Sequence, residues 1–138
     1  MMKKILVIDG QGGQLGKQLC DGIRGKLPDA QVIAVGTNAN ATLSMIKGNG
    51  CQGATGENPV IVCSKEADMI VGPIGIINAN SMLGEITPKM ALAISESPAQ
   101  KILIPFNRCS IQIAGVKNAS MSELIEDAIK MVITKYSE

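Results

Sequence analysis

The sequence predicts an α/β fold, a three-layer Rossmann-like arrangement around a mainly parallel sheet of about five strands, and three observations carry the prediction. Ile5-Leu6-Val7-Ile8 are consecutive apolar residues, the pattern of a strand buried on both faces. Gly10, Gly12, Gly13 and Gly16 follow directly, after which Leu15, Leu19, Ile23 and Leu27 recur every fourth residue as one helix face. Apolar β-branched runs then alternate with helical patterns through the rest of the chain, the order of a parallel sheet with crossover helices.

A chain of 138 residues forms one domain, 1–138, around a single sheet. Its 13 basic and 12 acidic residues leave a net charge of +1, without the electrostatic footprint of a nucleic-acid or acidic-membrane partner. Phe106 and Tyr136 are its aromatic residues, so stacking platforms for single strands are absent. The absence of histidine removes the commonest general base and metal ligand, and no metal site is expected. Cys20, Cys51, Cys63 and Cys109 show no CxxC spacing and read as free thiols. No apolar run is long enough for a secretory leader or a membrane span, so a cytoplasmic protein is expected.

The first helix should run from about Gln14 to Lys26 and stop before Pro28. Val32 to Val35 make the second strand. Asn38 or Asn40 caps a short helix carrying Leu43 and Ile46, closed by Gly48-Asn49-Gly50. A brief third strand lies around Gly53-Ala54-Thr55, followed by Asn58-Pro59 as N-cap and first helical residue. Val60 to Cys63 have strand propensity, but a crossover is needed before the strand Met69-Ile70-Val71, which favours a short helix. Thr87-Pro88 starts a helix through about Glu96, leaving Gly72 to Glu85 as an insertion with room for a short helix of its own. Ile102-Leu103-Ile104 form the fifth strand. The short connection to Ile111–Val116 forbids a parallel crossover, so a sixth strand there should be antiparallel or at an edge. Ser120 and Glu123 form a capping box for a closing helix that buries Leu124, Ile125, Ala128, Ile129 and Val132.

Ligands of open α/β sheets bind at the carboxyl ends of the strands, where the strand order reverses. The expected ligand-binding set is therefore Gly10, Gln11, Gly12, Gly13, Gln14 and Leu15 in the first loop, Gly36, Thr37 and Asn38 in the second, Gly72, Pro73 and Ile74 in the fourth, and Asn107 and Arg108 after the fifth strand. The spacing G-x-x-G-x-x-G is complete at Gly10, Gly13 and Gly16, whereas the shorter G-x-G-x-x-G meets Leu15 at its third glycine. A Walker A loop is excluded by Gln11 and Gln18. Such a loop binds a nucleotide, an NAD(P)-type cofactor or a phosphorylated metabolite; the competing reading is a tight strand-to-helix turn with no ligand. A bulky residue at Gly13 is expected to abolish binding with the fold intact.

The end of the second strand offers Gly36-Thr37-Asn38 in place of the acid of an NAD site or the arginine of an NADP site, so neither cofactor is specified. Asp9 either bonds the loop amides from below or repels phosphate. Arg108 suits a carboxylate or phosphate, and Cys109 beside it or Glu57 could serve as a reactive group in an enzyme acting on a small anion. The bland account pairs Arg108 with Glu57 or Glu85 and buries Cys109 as a small residue. A structural or regulatory protein with a degenerate site is the third reading. Met82, Leu83, Met90 and Met131 could meet a second copy in a homodimer.

Gly10-Gln11-Gly12-Gly13-Gln14-Leu15-Gly16 resembles the cofactor loop of extended short-chain reductases, sugar-nucleotide reductases among them. Their Tyr-x-x-x-Lys pair has no counterpart, since the tyrosine here is Tyr136 in the tail, so reductase activity does not follow. Over nearly its full length the chain resembles a small family of single-domain Rossmann-like proteins from anaerobic Firmicutes, a domain of unknown function. Gly72-Pro73-Ile74-Gly75, Leu83-Gly84-Glu85-Ile86-Thr87-Pro88 and Asn107-Arg108-Cys109 carry that likeness. It implies the fold and supplies no activity.

Overall fold

In the computed structural model, which describes residues 3–105 and 110–138, five parallel strands form one sheet in the order β3-β2-β1-β4-β5. They are β1 (Lys4–Asp9), β2 (Gln31–Gly36), β3 (Gln52–Thr55), β4 (Met69–Pro73) and β5 (Gln100–Ile104). The connecting helices are α1 (Gln14–Lys26), α2 (Ala39–Ile46), α3 (Glu57–Glu66) and α4 (Pro88–Glu96), and α5 (Met121–Ser137) closes the chain. Side chains of a strand alternate between the two faces. Ile5 and Val7 of β1 accordingly enter one core with Leu19 and Ile23 of α1, Met45 of α2 and Ile125 and Val132 of α5. Leu6 and Ile8 enter the other with Val60 of α3 and Met90 and Ile94 of α4. The sheet is the middle of three layers.

The chain moves outward from β1 through β2 to β3, then returns to place β4 on the other side of β1. The loops after β1 and β4 therefore part to opposite faces, which opens a crevice at the carboxyl ends of these two strands. The segment after β4 covers this crevice: a single 3-10 turn (Ile74–Ile77) leads into 78–86, which is anchored by fully buried Ile86. The connection from Val60 to Cys63 is helical, because a parallel crossover outweighs the strand propensity of its β-branched residues.

Two expectations are corrected. Helix α3 starts at Glu57 with Gly56 at its cap, so Asn58-Pro59 lies inside the first turn, where the missing proline N–H costs nothing. The sixth strand at Ile111–Val116 is not formed. That segment is largely exposed, Gly115 at φ 87° interrupts an extended path, and no strand edge among the described residues pairs with it. Propensity without a partner strand does not make a sheet.

Candidate functional site

The loop after β1 is tied down from beneath by Asp9. Its carboxylate, 6% exposed, accepts hydrogen bonds from the Gly10 N–H at 2.8 Å and the Gly16 N–H at 2.7 Å. Of the two roles open to Asp9 from sequence, it takes that of a brace. Burial pushes its carboxyl above the ordinary value, the Gly16 and Gly10 amides pull it back without cancelling that push, and the charge of Glu85 adds to the rise. The Gly13 N–H turns inward to the Gly10 carbonyl at 2.9 Å. The N–H groups of Gly12, Gln14 and Leu15 bond no described residue. They stand at the N-terminus of the 13-residue helix α1, which has no acidic residue in its first turn. Unpaired donors and the positive end of the helix dipole together favour an anion there.

The glycines of this loop differ in what they make room for. An added Cβ at Gly10 would lie 2.6 Å from Met82 Sδ and 2.7 Å from Thr37 Oγ1, and one at Gly16 2.8 Å from Asp9 Cβ. Gly13 has φ 73°, and its Cβ would lie 2.6 Å from the Ala41 carbonyl oxygen. Gly12 is exposed, has no positive φ and meets nothing closer than Gln14 Cγ at 4.0 Å. Its missing side chain serves open space.

That space is a cleft of about 410 Å³ lined by Asp9 to Leu15 on one side and by Pro73, Met82 and Leu83 on the other. No Lys or Arg is among the residues described there. Lys17, nearest in the chain, bonds Asp21 at 2.9 Å and the Lys47 carbonyl on the helix flank. Beside the cleft, Glu85 reaches over Gly10 and gathers three donors on one oxygen. Its Oε1 accepts from the Thr37 hydroxyl at 2.5 Å, the Gln11 N–H at 2.8 Å and Asn38 Nδ2 at 3.0 Å. Asn38 Nδ2 also donates to the Gln11 carbonyl at 3.0 Å, so the left-handed Gln11 (φ 50°) is clasped at both backbone groups. Partial burial raises the Glu85 carboxyl, but the donors Thr37, Gln11 and Asn38 outweigh it and hold it below its ordinary value.

The expected site residues divide accordingly. Gly10 to Leu15 and Pro73 meet at the cleft, and Thr37 and Asn38 join them through Glu85. Gly36 packs tightly on Thr42, Gly72 presses on the Ile8 carbonyl, and Ile74 sits half-buried in the 3-10 turn; none of the three lines the cleft. Glu57 accepts from the Thr87 hydroxyl at 2.6 Å, which joins the starts of α3 and α4 and keeps it from the cleft wall. Asn107, Arg108 and Cys109 lie outside the described residues. Of the apolar residues considered for a homodimer contact, Met90 is buried in the core, Met82 and Leu83 border the cleft, and Met131 is exposed. Sequence reasoning left Met82 and Leu83 out of the ligand-binding set and weighed Glu85 only as an acid near the site or a partner for Arg108, not as a clasp on the glycine loop. Their signal was the unusual length of chain between β4 and α4.

Among the described residues no cluster of His, Cys, Asp or Glu is arranged for a metal, and no helix is long and apolar enough to cross a membrane. The parallel sheet, its order and the crevice at the β1/β4 reversal define a Rossmann-like α/β protein. The chain belongs to the family described as a domain of unknown function (DUF3842), which matches residues 4–137. No curated protein is similar in sequence. Among solved structures, it is similar to a dodecameric FMN-dependent UbiX-like decarboxylase from Escherichia coli O157:H7. That similarity has 12% identity and a TM-score of 0.44, over 99% of this chain and 95% of that one.

Proposed function

We propose that this protein is a cytoplasmic Rossmann-like binding or sensor protein whose Gly10–Leu15 loop holds a nucleotide-type ligand, an NAD(P)-type dinucleotide or another phosphorylated metabolite. The observation that carries the reading is Gly12. Its lack of a side chain relieves no clash and permits no left-handed turn, yet it leaves three amides that bond no described residue open to the cleft. A phosphate seated there accepts from the Gly12, Gln14 and Leu15 N–H groups and meets the helix dipole. With no basic side chain described in the wall, and with Asp9 and Glu85 close by, the setting suits the two spread charges of a pyrophosphate diester better than a triphosphate. A closed carboxyl edge would favour the degenerate-site reading, and among the described residues the cleft there is open.

Gly12→Val tests the reading, because a Cβ there meets nothing closer than Gln14 Cγ at 4.0 Å and a branched side chain would crowd the cleft. A thermal-shift panel would include NAD, NADP, FAD, FMN, ATP, AMP and coenzyme A. A ligand at about a hundred times its Kd stabilises the protein by roughly 2.7 kcal/mol, several degrees in a domain of this size. One compound should shift the wild type and leave Gly12→Val unshifted, with the ligand-free midpoints within about 1 kcal/mol of each other. A shift of equal size in both proteins, or no shift across the panel, overturns the proposal.

A further inference from the structure

We propose that Glu85 is the specificity-determining carboxylate of this site, reading an unphosphorylated ribose 2′,3′-diol, so that the ligand is an NAD-like dinucleotide rather than its 2′-phosphorylated form. The inference rests on the nucleotide reading above and deepens it. In a dinucleotide site the ribose hydroxyls donate to an acid at the end of the second strand, and here that place holds Gly36-Thr37-Asn38. The structure brings a carboxylate to the same place from another part of the chain. Glu85, from the segment between β4 and α4, is bonded by Thr37 and Asn38, the first two residues beyond β2, and by the Gln11 N–H of the glycine loop. The absent side chain of Gly10 gives it room: a Cβ there would come within 3.0 Å of Glu85 Oε1.

The division of labour between the two carboxylate oxygens is what makes this a reading site. Oε1 takes all three bonds, whereas Oε2 accepts none and forms no ion pair with any described residue. The first oxygen fixes the group in place; the second keeps its acceptor capacity beside the glycine loop, whose Gln11 N–H the first already bonds. A vicinal diol supplies two donors to such an acceptor. A 2′-phosphate would instead set a dianion against a carboxylate that forms no ion pair with any described residue, which is discrimination by repulsion as well as by attraction. Loss of either element makes the two ligands alike.

Titration calorimetry of the full chain with NAD and with NADP tests the proposal, using wild type, Glu85→Gln and Thr37→Val. The wild type should bind NAD at least about tenfold more tightly than NADP, and Glu85→Gln should weaken NAD and bring the two within about threefold. Thr37→Val removes one donor and keeps the charge. It should weaken NAD by a smaller factor with NADP still disfavoured, and it carries the test if Glu85→Gln fails to fold. Equal wild-type affinities overturn the inference and leave the nucleotide reading standing. So does a Glu85→Gln protein that binds both ligands more tightly by the same factor, since the carboxylate would then be a plug on the loop. Gly12-sensitive binding of FMN with no binding of NAD or NADP also overturns the diol assignment alone. Absence of any Gly12-sensitive ligand overturns both.

Discussion

The two walls of the cleft reach unusual backbone conformations with different shares of glycine and of side-chain support. The β1–α1 loop places glycine at its left-handed Gly13 and closes with a backbone bond from the Gly13 N–H to the Gly10 carbonyl at 2.9 Å. Segment 78–86 puts Asn80, Met82 and Leu83 in the left-handed region at φ 69°, 57° and 57°. It is held by bonds from Asn80 N–H to the Ile86 carbonyl at 2.7 Å, from the Ser81 hydroxyl to the Gly75 carbonyl at 2.5 Å, and by the Glu85 clasp. Glycine removes strain at Gly13, whereas surrounding contacts hold it at Gln11 (φ 50°) of the same loop and at the three non-glycine residues of segment 78–86. Strain that persists on non-glycine residues beside a cleft marks a place where side chains matter more than ease of folding.

The sharpest break in that comparison comes from Gly13→Val, set against Gly12→Val. At Gly13 a β-branched residue meets both a left-handed backbone and the Ala41 carbonyl oxygen at 2.6 Å. The cost should be roughly 3 kcal/mol or more, seen as a fall in thermal midpoint of about ten degrees. Sequence reasoning expected a bulky residue at Gly13 to spare the fold, and the structure transfers that property to Gly12. A Gly13→Val protein as stable as Gly12→Val would erase the distinction between the two glycines.

A smaller effect separates the clasp from the loop it grips. Glu85 has a lowered carboxyl pKa, so its contribution to stability is complete above the unfolded value near 4.5 and is lost as pH falls through the lower folded value. Glu85→Gln should therefore be less stable than wild type at pH 7, by about 1 kcal/mol because its partners are partly solvated. The gap should close in unfolding curves taken below pH 4.5. A gap that stays constant down to pH 3 would show that the clasp does not depend on the carboxylate charge, and no gap at pH 7 would show that the segment is held by its backbone bonds alone.

The same contrast accounts for what the sequence made legible. β1, its loop and α1 are written in adjacent residues: an apolar run, glycines at fixed spacing and a period of four. The capping box at Ser120 and the start of α4 at Thr87-Pro88 are equally local, and both are formed. Glu85 is set by Gln11 and Thr37, 74 and 48 positions away, and no local pattern announces such a contact. The individual duties of Gly12 and Gly13 depend on Ala41 across the loop, which spacing does not contain. The missing sixth strand fails for a related reason: Ile111 and Ile113 have strand propensity, but pairing is a property of a neighbour.

The finest test concerns Leu83, which is 98% exposed, left-handed at φ 57° and part of the cleft wall. An exposed leucine gains nothing from burial in the free protein, and its backbone conformation is one that asparagine adopts more readily. Leu83→Asn should therefore raise stability by about 0.5 kcal/mol, one or two degrees in the midpoint. If leucine is kept there for the ligand, as an apolar cover over whatever the loop amides hold, the same substitution should weaken binding of the compound found in the thermal-shift panel. A more stable protein with weaker binding would tie the strain of segment 78–86 to ligand capture. A more stable protein with unchanged affinity would confine the site to the glycine loop and Glu85, and the two walls would then differ in function as well as in how they are held.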